Sequence, residues 1–197
     1  MATAQRGPLC VGIFVGGRGL RLGGVAKGNL TLPSGEKLVE RLLASCAETL
    51  PDAPVVLVGA AEAYAALGLP ALADAPAGVG PLGGLRALLL HARTLGCAHA
   101  LALSCDLPYL GAGLLARLAA EAPEADFLAP REGELWQTLV ARYGVASLPE
   151  LEATLAAGDR ALQRFVARLG ARAVELPVEA GERAELRDWD TPADAPV

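Results

Sequence analysis

Short, continuously apolar runs alternate with stretches of helical spacing along most of the chain, and this alternation restricts the fold more than any other feature. A strand with one face in water alternates apolar and polar residues, whereas a strand covered on both faces is apolar throughout. Residues 9–15, 55–58 and 98–104 are of the second kind. Between and after them, 37–50, 61–67, 85–95 and 111–121 have helical character, with Leu38, Leu42 and Cys46 on one stripe of the first. A short strand at 71–73 ends at Asp74, a Gly/Pro-rich turn occupies 77–84, and 126–129 reads as another strand. The pattern predicts an α/β fold with a mostly parallel central sheet and helices on both faces. Further on, 135–143 reads as a strand and 148–157 as a helix stopped by Gly158. Asp159 is then the expected N-cap of a helix reaching 169, and 173–176 a last strand. With no internal repeat and no long linker, residues 1–197 are expected to form a single domain.

Composition removes several functions from consideration. Hydrophobic residues make up 53% of the chain but aromatic residues only 4%, so Ala, Leu and Val must supply most of the core. Eight aromatic residues are too few for a base-stacking platform. A net charge of −5 with two lysines, Lys27 and Lys37, argues against a nucleic-acid surface, which needs clustered cations. Cys10, Cys46, Cys97 and Cys105 form no CxxC pair, and His91 and His99 have no metal-ligand spacing, so neither a disulfide framework nor a zinc site is expected. Residues 1–8 contain no apolar run, and no stretch reaches the roughly 20 apolar residues of a membrane span. A cytoplasmic protein is the expectation.

The most informative segment follows the first strand directly: Gly16-Gly17-Arg18-Gly19-Leu20-Arg21-Leu22-Gly23-Gly24-Val25-Ala26-Lys27-Gly28. Closely spaced glycines let backbone N–H groups approach an anion, and two arginines and a lysine balance its charge. A triphosphate suits such a loop. The dinucleotide fingerprint G-x-G-x-x-G fails, because its third glycine falls on Leu22, and the Walker pattern fails because Gly28 follows Lys27 where Ser or Thr is required.

Two aspartates stand at predicted strand ends, where open α/β sheets bind ligands. Asp106, in Ser104-Cys105-Asp106-Leu107-Pro108, is read either as a carboxylate that holds magnesium on phosphates or as a turn residue before the next helix. Asp74 precedes Gly80-Pro81-Leu82-Gly83-Gly84-Leu85 and is read either as a ligand contact or as part of a plain turn. Trp136 has two readings, stacking on a ligand ring or packing in the core. Asp188 and Asp190 share one face of an extended run, and Asp190 equally suits a helix cap.

Taken in order, these segments resemble the molybdenum cofactor guanylyltransferases and their nucleotidyltransferase relatives. The resemblance is carried by Gly16-Gly17-x-Gly19-x-Arg21-x-Gly23-Gly24-x-x-Lys27, by Cys105-Asp106-x-Pro108 and by Gly80-Pro81-Leu82-x-Gly84-Leu85. It continues through Gln137-Thr138-Leu139-x-Ala141-x-Tyr143, Leu148-Pro149-x-Leu151-Glu152 to Gly158-x-Arg160, and Asp188-Trp189-Asp190-Thr191-Pro192. Two positions depart: Ala26 stands where the family often has Asp, and Thr138 where it has Pro.

The resemblance implies a three-layer, Rossmann-like nucleotidyltransferase fold and transfer of GMP from GTP to the terminal phosphate of molybdopterin, with Mg²⁺ as cofactor. It places Phe14, Val15, Gly16, Gly17, Lys27, Asp74 and Asp106 against the nucleotide. Arg18, Arg21, Lys27 and Asp106 are then the catalytic group, Asp106 and Asp190 the metal ligands, and Gln137, Asp188 and Asp190 the acceptor contacts. Relatives that use CTP or a sugar-phosphate acceptor are the nearest alternatives, and a non-catalytic nucleotide- or cofactor-binding partner is the alternative from another class. Molybdoenzymes or cofactor-insertion chaperones are the protein partners the resemblance suggests.

Overall fold

In the computed structural model, residues 9–16 and 26–189 are described. They build a seven-stranded sheet in the order β3-β2-β1-β4-β8-β5-β9. Its strands are β1 (Leu9–Phe14), β2 (Val55–Val58), β3 (Ala71–Leu72), β4 (His99–Ser104), β5 (Phe127–Ala129), β8 (Val140–Gly144) and β9 (Ala173–Glu175). A separate two-stranded hairpin joins β6 (Arg131–Glu132) to β7 (Leu135–Trp136). The pairs β1–β2, β1–β4, β2–β3 and β5–β9 are parallel, and β8 runs antiparallel to both β4 and β5.

Alternation along β1 shows how the layers form. Cys10 and Phe14 join the apolar cluster beneath α2 (Pro81–Thr94), α4 (Leu148–Ala156) and α5 (Leu162–Leu169). Val11, Ile13 and Val15 join the opposite cluster, under α1 (Leu38–Thr49) and α3 (Ala112–Ala120). Successive side chains of a strand point to opposite faces, so a strand apolar at every position can feed two cores. Between them, Gly12 admits α2 against the sheet: a Cβ there would lie 2.5 Å from Leu88 Cδ2.

The predicted α/β architecture is the one found, with four local differences. The predicted strand 135–143 is two strands, β7 and β8, because the chain turns between them, with Val140 N–H donating to Gln137 C=O at 2.9 Å. Helix α2 begins at Pro81, four residues before the predicted start. Proline lacks the N–H that the first helical turn leaves unbonded anyway, so it initiates the helix. The segment 61–67 is a 3₁₀ turn, Glu62–Leu67. Asp159 does not cap α5, whose N-cap is Ala161. Its N–H donates to Thr154 C=O at 3.2 Å and closes the end of α4.

Buried Arg142 reaches across from β8 to α3, donating to the carbonyls of Leu118, Ala119 and Ala122 at and just beyond its C-terminal end. The last carbonyls of a helix have no intrahelical donor, so one guanidinium satisfies several of them and ties the reversed strand to the helical layer.

Candidate active site

Strand order runs outward from β1 in both directions, to β2 on one side and β4 on the other. Such a reversal opens a crevice at the carboxyl ends of the strands, where the following turns diverge. The ends of β1 and β4 meet there. Cys105 N–H donates to Phe14 C=O at 3.1 Å, joining the two strand ends.

The segment after β1 returns to the described structure at Ala26, followed by the 3₁₀ turn Lys27–Asn29. Lys27 Nζ lies 2.9 Å from Asp106 Oδ2. Ser104 Oγ donates to the other carboxylate oxygen, Oδ1. The aspartate is anchored through its backbone as well, its C=O accepting the Trp189 N–H at 3.0 Å. Trp189 itself is buried with Leu32 and Leu38. The segment leading to Asp188 is therefore held beside the strand end that carries Asp106.

These groups open onto a cleft of about 870 Å³. Lys27, Ser104 and Asp106 form one side, and Gln137, Thr138, Arg183, Arg187 and Asp188 are among its other lining residues. Arg131 and Trp136, from the small hairpin, complete a wall. The Arg131 guanidinium carbon lies 4.6 Å from the Trp136 ring centroid, and the indole meets Phe127 edge-on at 5.2 Å. Gln163 fixes the Trp136 backbone, accepting its N–H and donating to its C=O at 2.7 Å. Of the two readings for Trp136, packing is met directly by Phe127. One face of the ring is already covered by Arg131.

The structure thus brings four expected residues, Lys27, Asp106, Gln137 and Asp188, to one cleft. Phe14 and Val15 are buried in the two cores, and of the expected trio at this strand end only Gly16 is exposed. Asp74 sits apart from the cleft, at the end of β3. Gly84 lets α2 approach it: a Cβ there would stand 3.3 Å from Asp74 Oδ1 and 3.0 Å from Phe14 Cε1. Partial burial raises the Asp74 carboxyl above its ordinary pKa. Gly17, Arg18, Arg21 and Asp190 lie outside the described residues.

Ala26 precedes the Lys27 turn in an extended conformation and supplies no side-chain cap to it. An aspartate at that position has the acceptor that such a cap requires. In this chain the turn is held instead by its neighbours. Gly28 N–H donates to Tyr64 Oη and Asn29 Nδ2 to Ala63 C=O, each at 3.0 Å. Tyr64, Ser104 and Arg131 were not singled out as site residues by the sequence. Their partners are remote, or too commonplace in pattern, to signal a role.

Among the described residues no group of three or more His, Cys, Asp or Glu side chains is arranged to hold a metal. Magnesium needs fewer protein ligands than that. It binds through one or two carboxylates and completes its shell with water and substrate phosphate. Asp106, with Asp188 on the same cleft, fits that demand for hard oxygen donors.

The chain is similar to known proteins over most of its length. Residues 11–174 match the MobA-like NTP transferase domain. The chain is 37% identical over 188 residues to a molybdenum cofactor guanylyltransferase of Pseudomonas entomophila, spanning 94% of this chain and 92% of that one. It is 32% identical over 169 residues to the enzyme of that name from Rhodobacter capsulatus, spanning 85% and 83%. Among solved structures, molybdopterin-guanine dinucleotide biosynthesis protein A from Archaeoglobus fulgidus superimposes with a TM-score of 0.72 at 26% identity, covering 93% of both chains. A 2-C-methyl-D-erythritol 4-phosphate cytidylyltransferase from Thermus thermophilus shares the fold, with a TM-score of 0.66 at 19% identity over 93% of both chains.

Proposed function

The chain belongs to the MobA-like NTP transferase family, and on that premise we propose that it transfers GMP from GTP to the terminal phosphate of molybdopterin, releasing pyrophosphate. The observation that carries this reading is the meeting of Lys27 and Asp106 at the crevice between β1 and β4. A cation and a carboxylate from different loops, on one cleft, are what a triphosphate with its counter-ion requires.

The reaction forms a bond between a phosphate oxygen of the acceptor and the α-phosphorus of GTP, and breaks the bond from that phosphorus to the oxygen bridging it to the β-phosphate. No protein nucleophile takes part. The protein's work is alignment and charge compensation. Lys27 neutralises phosphate charge at the mouth of the cleft, and Arg18 and Arg21 of the glycine-rich segment add to it as pyrophosphate leaves. Asp106 would hold Mg²⁺, with Asp188 or Asp190 as a second carboxylate. When bound, the ion supplies Lewis-acid stabilisation of the phosphate oxygens. Gly16, Gly17 and Asp74 are the residues assigned to the nucleoside.

The acceptor occupies the opposite part of the cleft. Arg131, braced on Trp136, offers a planar cation to a phosphate or a flat ring, and Gln137 and Asp188 offer hydrogen-bonding groups. No described helix is long and apolar enough to cross a membrane. The four cysteines are buried free thiols, which fits a reducing, cytoplasmic compartment.

The test is pyrophosphate release by the purified protein with Mg²⁺, molybdopterin and each of the four NTPs in turn. Release with GTP that depends on molybdopterin is expected. Release driven by CTP would replace the guanylyl reading with a cytidylyl one, and silence with every NTP would remove the transferase.

A further inference from the structure

Tyr64 lies outside the cleft, yet it touches the chain next to both of the groups that meet there. It sits in the turn Glu62–Leu67 between β2 and β3 and is 2% exposed. Its hydroxyl accepts the N–H of Gly28, the residue after Lys27, at 3.0 Å. The neighbouring bond from Asn29 Nδ2 to Ala63 C=O doubles the tie, so two consecutive residues of the Lys27 turn are bound to two consecutive residues of the Tyr64 turn. The fit is close. A Cβ on Gly28 would lie 3.0 Å from both Cε1 and Oη of Tyr64, and 3.2 Å from Val39 Cβ.

Tyr64 also lies in the buried cluster that holds Cys105, the residue before Asp106. One buried side chain therefore holds the Lys27 turn and packs in the cluster at the end of β4, although Lys27 and Asp106 are 79 residues apart in sequence.

We infer that Tyr64 is a positioning residue for nucleotidyl transfer: by fixing the backbone at Gly28 against the end of β4, its hydroxyl sets where the Lys27 ammonium stands relative to the Asp106 carboxylate. Lysine has a long flexible stem, so its useful position depends on how firmly its backbone is held. Alignment of the triphosphate between these groups carries much of the rate, and a small displacement of one of them is expensive. The inference rests on the reading of Lys27 and Asp106 as the reacting centre.

Tyr64→Phe tests it, because the ring that packs against Gly28 is kept and only the hydroxyl is lost. The expected result is a fall in kcat of about tenfold or more, with a melting temperature within roughly 5 °C of the parent. The decisive readout is the double variant with Lys27→Ala. If the hydroxyl acts through Lys27, adding Tyr64→Phe to Lys27→Ala costs little further activity. A purely structural role gives two losses that multiply. Asn29→Ala provides a second variant, cutting the companion tie from a partly exposed side chain, and a smaller loss of kcat with the same non-additivity is expected. Parental kcat in Tyr64→Phe, or multiplying losses, would overturn the inference while leaving the site reading in place. Full activity in Lys27→Ala and Asp106→Asn would instead sink the site reading itself.

Discussion

Lys27 Nζ and Asp106 Oδ2 are 2.9 Å apart, and the parallel pairing of β1 with β4, in register from Leu9↔His99 to Phe14↔Ser104, brings the turns that carry them together. Neither residue has its partner nearby in sequence, so their contact belongs to the fold.

Asp106→Asn is expected to abolish magnesium-dependent turnover, and Lys27→Ala to lower kcat by about a hundredfold or more, the scale seen when a charge-stabilising donor is removed. Their side chains retain 12% and 25% exposure. An ion pair partly open to water contributes little net stability, so melting temperatures should move only slightly. Steady-state assays beside thermal melts separate the two effects. Parental turnover in Asp106→Asn would take that carboxylate out of the mechanism.

Trp189 holds the acidic end segment in place through a buried indole and a backbone bond to Asp106. Trp189→Ala should cost about 3 kcal/mol, the low end for a buried tryptophan because its cluster is small, and should weaken acceptor use by freeing Asp188. The indole Nε1 is buried and finds no partner among the described residues. Trp189→Phe removes that orphaned donor along with part of the ring, so a loss within about 1 kcal/mol is expected. Urea midpoints for the two variants decide it. An unchanged midpoint in Trp189→Ala would show that the indole anchors nothing.

Arg131 separates the two substrates. It lines the cleft together with Gln137 and Asp188, the residues assigned to the acceptor. Arg131→Leu should raise KM for molybdopterin about tenfold, from the loss of a charged donor, and leave KM for GTP near its parental value. A rise in KM for GTP alone would place the arginine on the nucleotide instead.

Much of this was legible in the sequence, and most of the unread parts depend on contacts remote in sequence. β1, β2 and β4 announced themselves because burial on both faces leaves a strand apolar at every position. Lys27 and Asp106 were readable because each follows such a strand within a few turns of glycine or proline. The reversal of β8 was not, since antiparallel pairing with β4 depends on the turn at Gln137 and on what lies beside it in space. Tyr64 looks like one residue in an alanine-rich stretch until the fold sets it against Gly28, 36 residues away. Asp159 misled for a local reason: it follows a helix-ending glycine, as an N-cap often does, but the next helix starts two residues too late to use it.

His99 should make the fold acid-sensitive in a defined window. It opens β4, half-buried, where desolvation lowers its pKa first and the nearby Arg142 charge lowers it further; Asp126 and a hydrogen bond to the Pro123 backbone oppose the shift. In the unfolded chain the imidazole titrates near 6.5. Between that value and the lower folded one, the unfolded state holds more protons than the native state, so stability rises with pH across the window and falls on acidification. Above pH 6.5 both states are neutral at His99 and the effect vanishes. His99→Gln keeps a donor for the Pro123 backbone but cannot titrate. The parent should therefore lose more stability than the variant between pH 7.5 and 5.5 in urea denaturation, the carboxylates common to both cancelling in the comparison. Equal losses would mean that His99 carries no pH-dependent share of the stability.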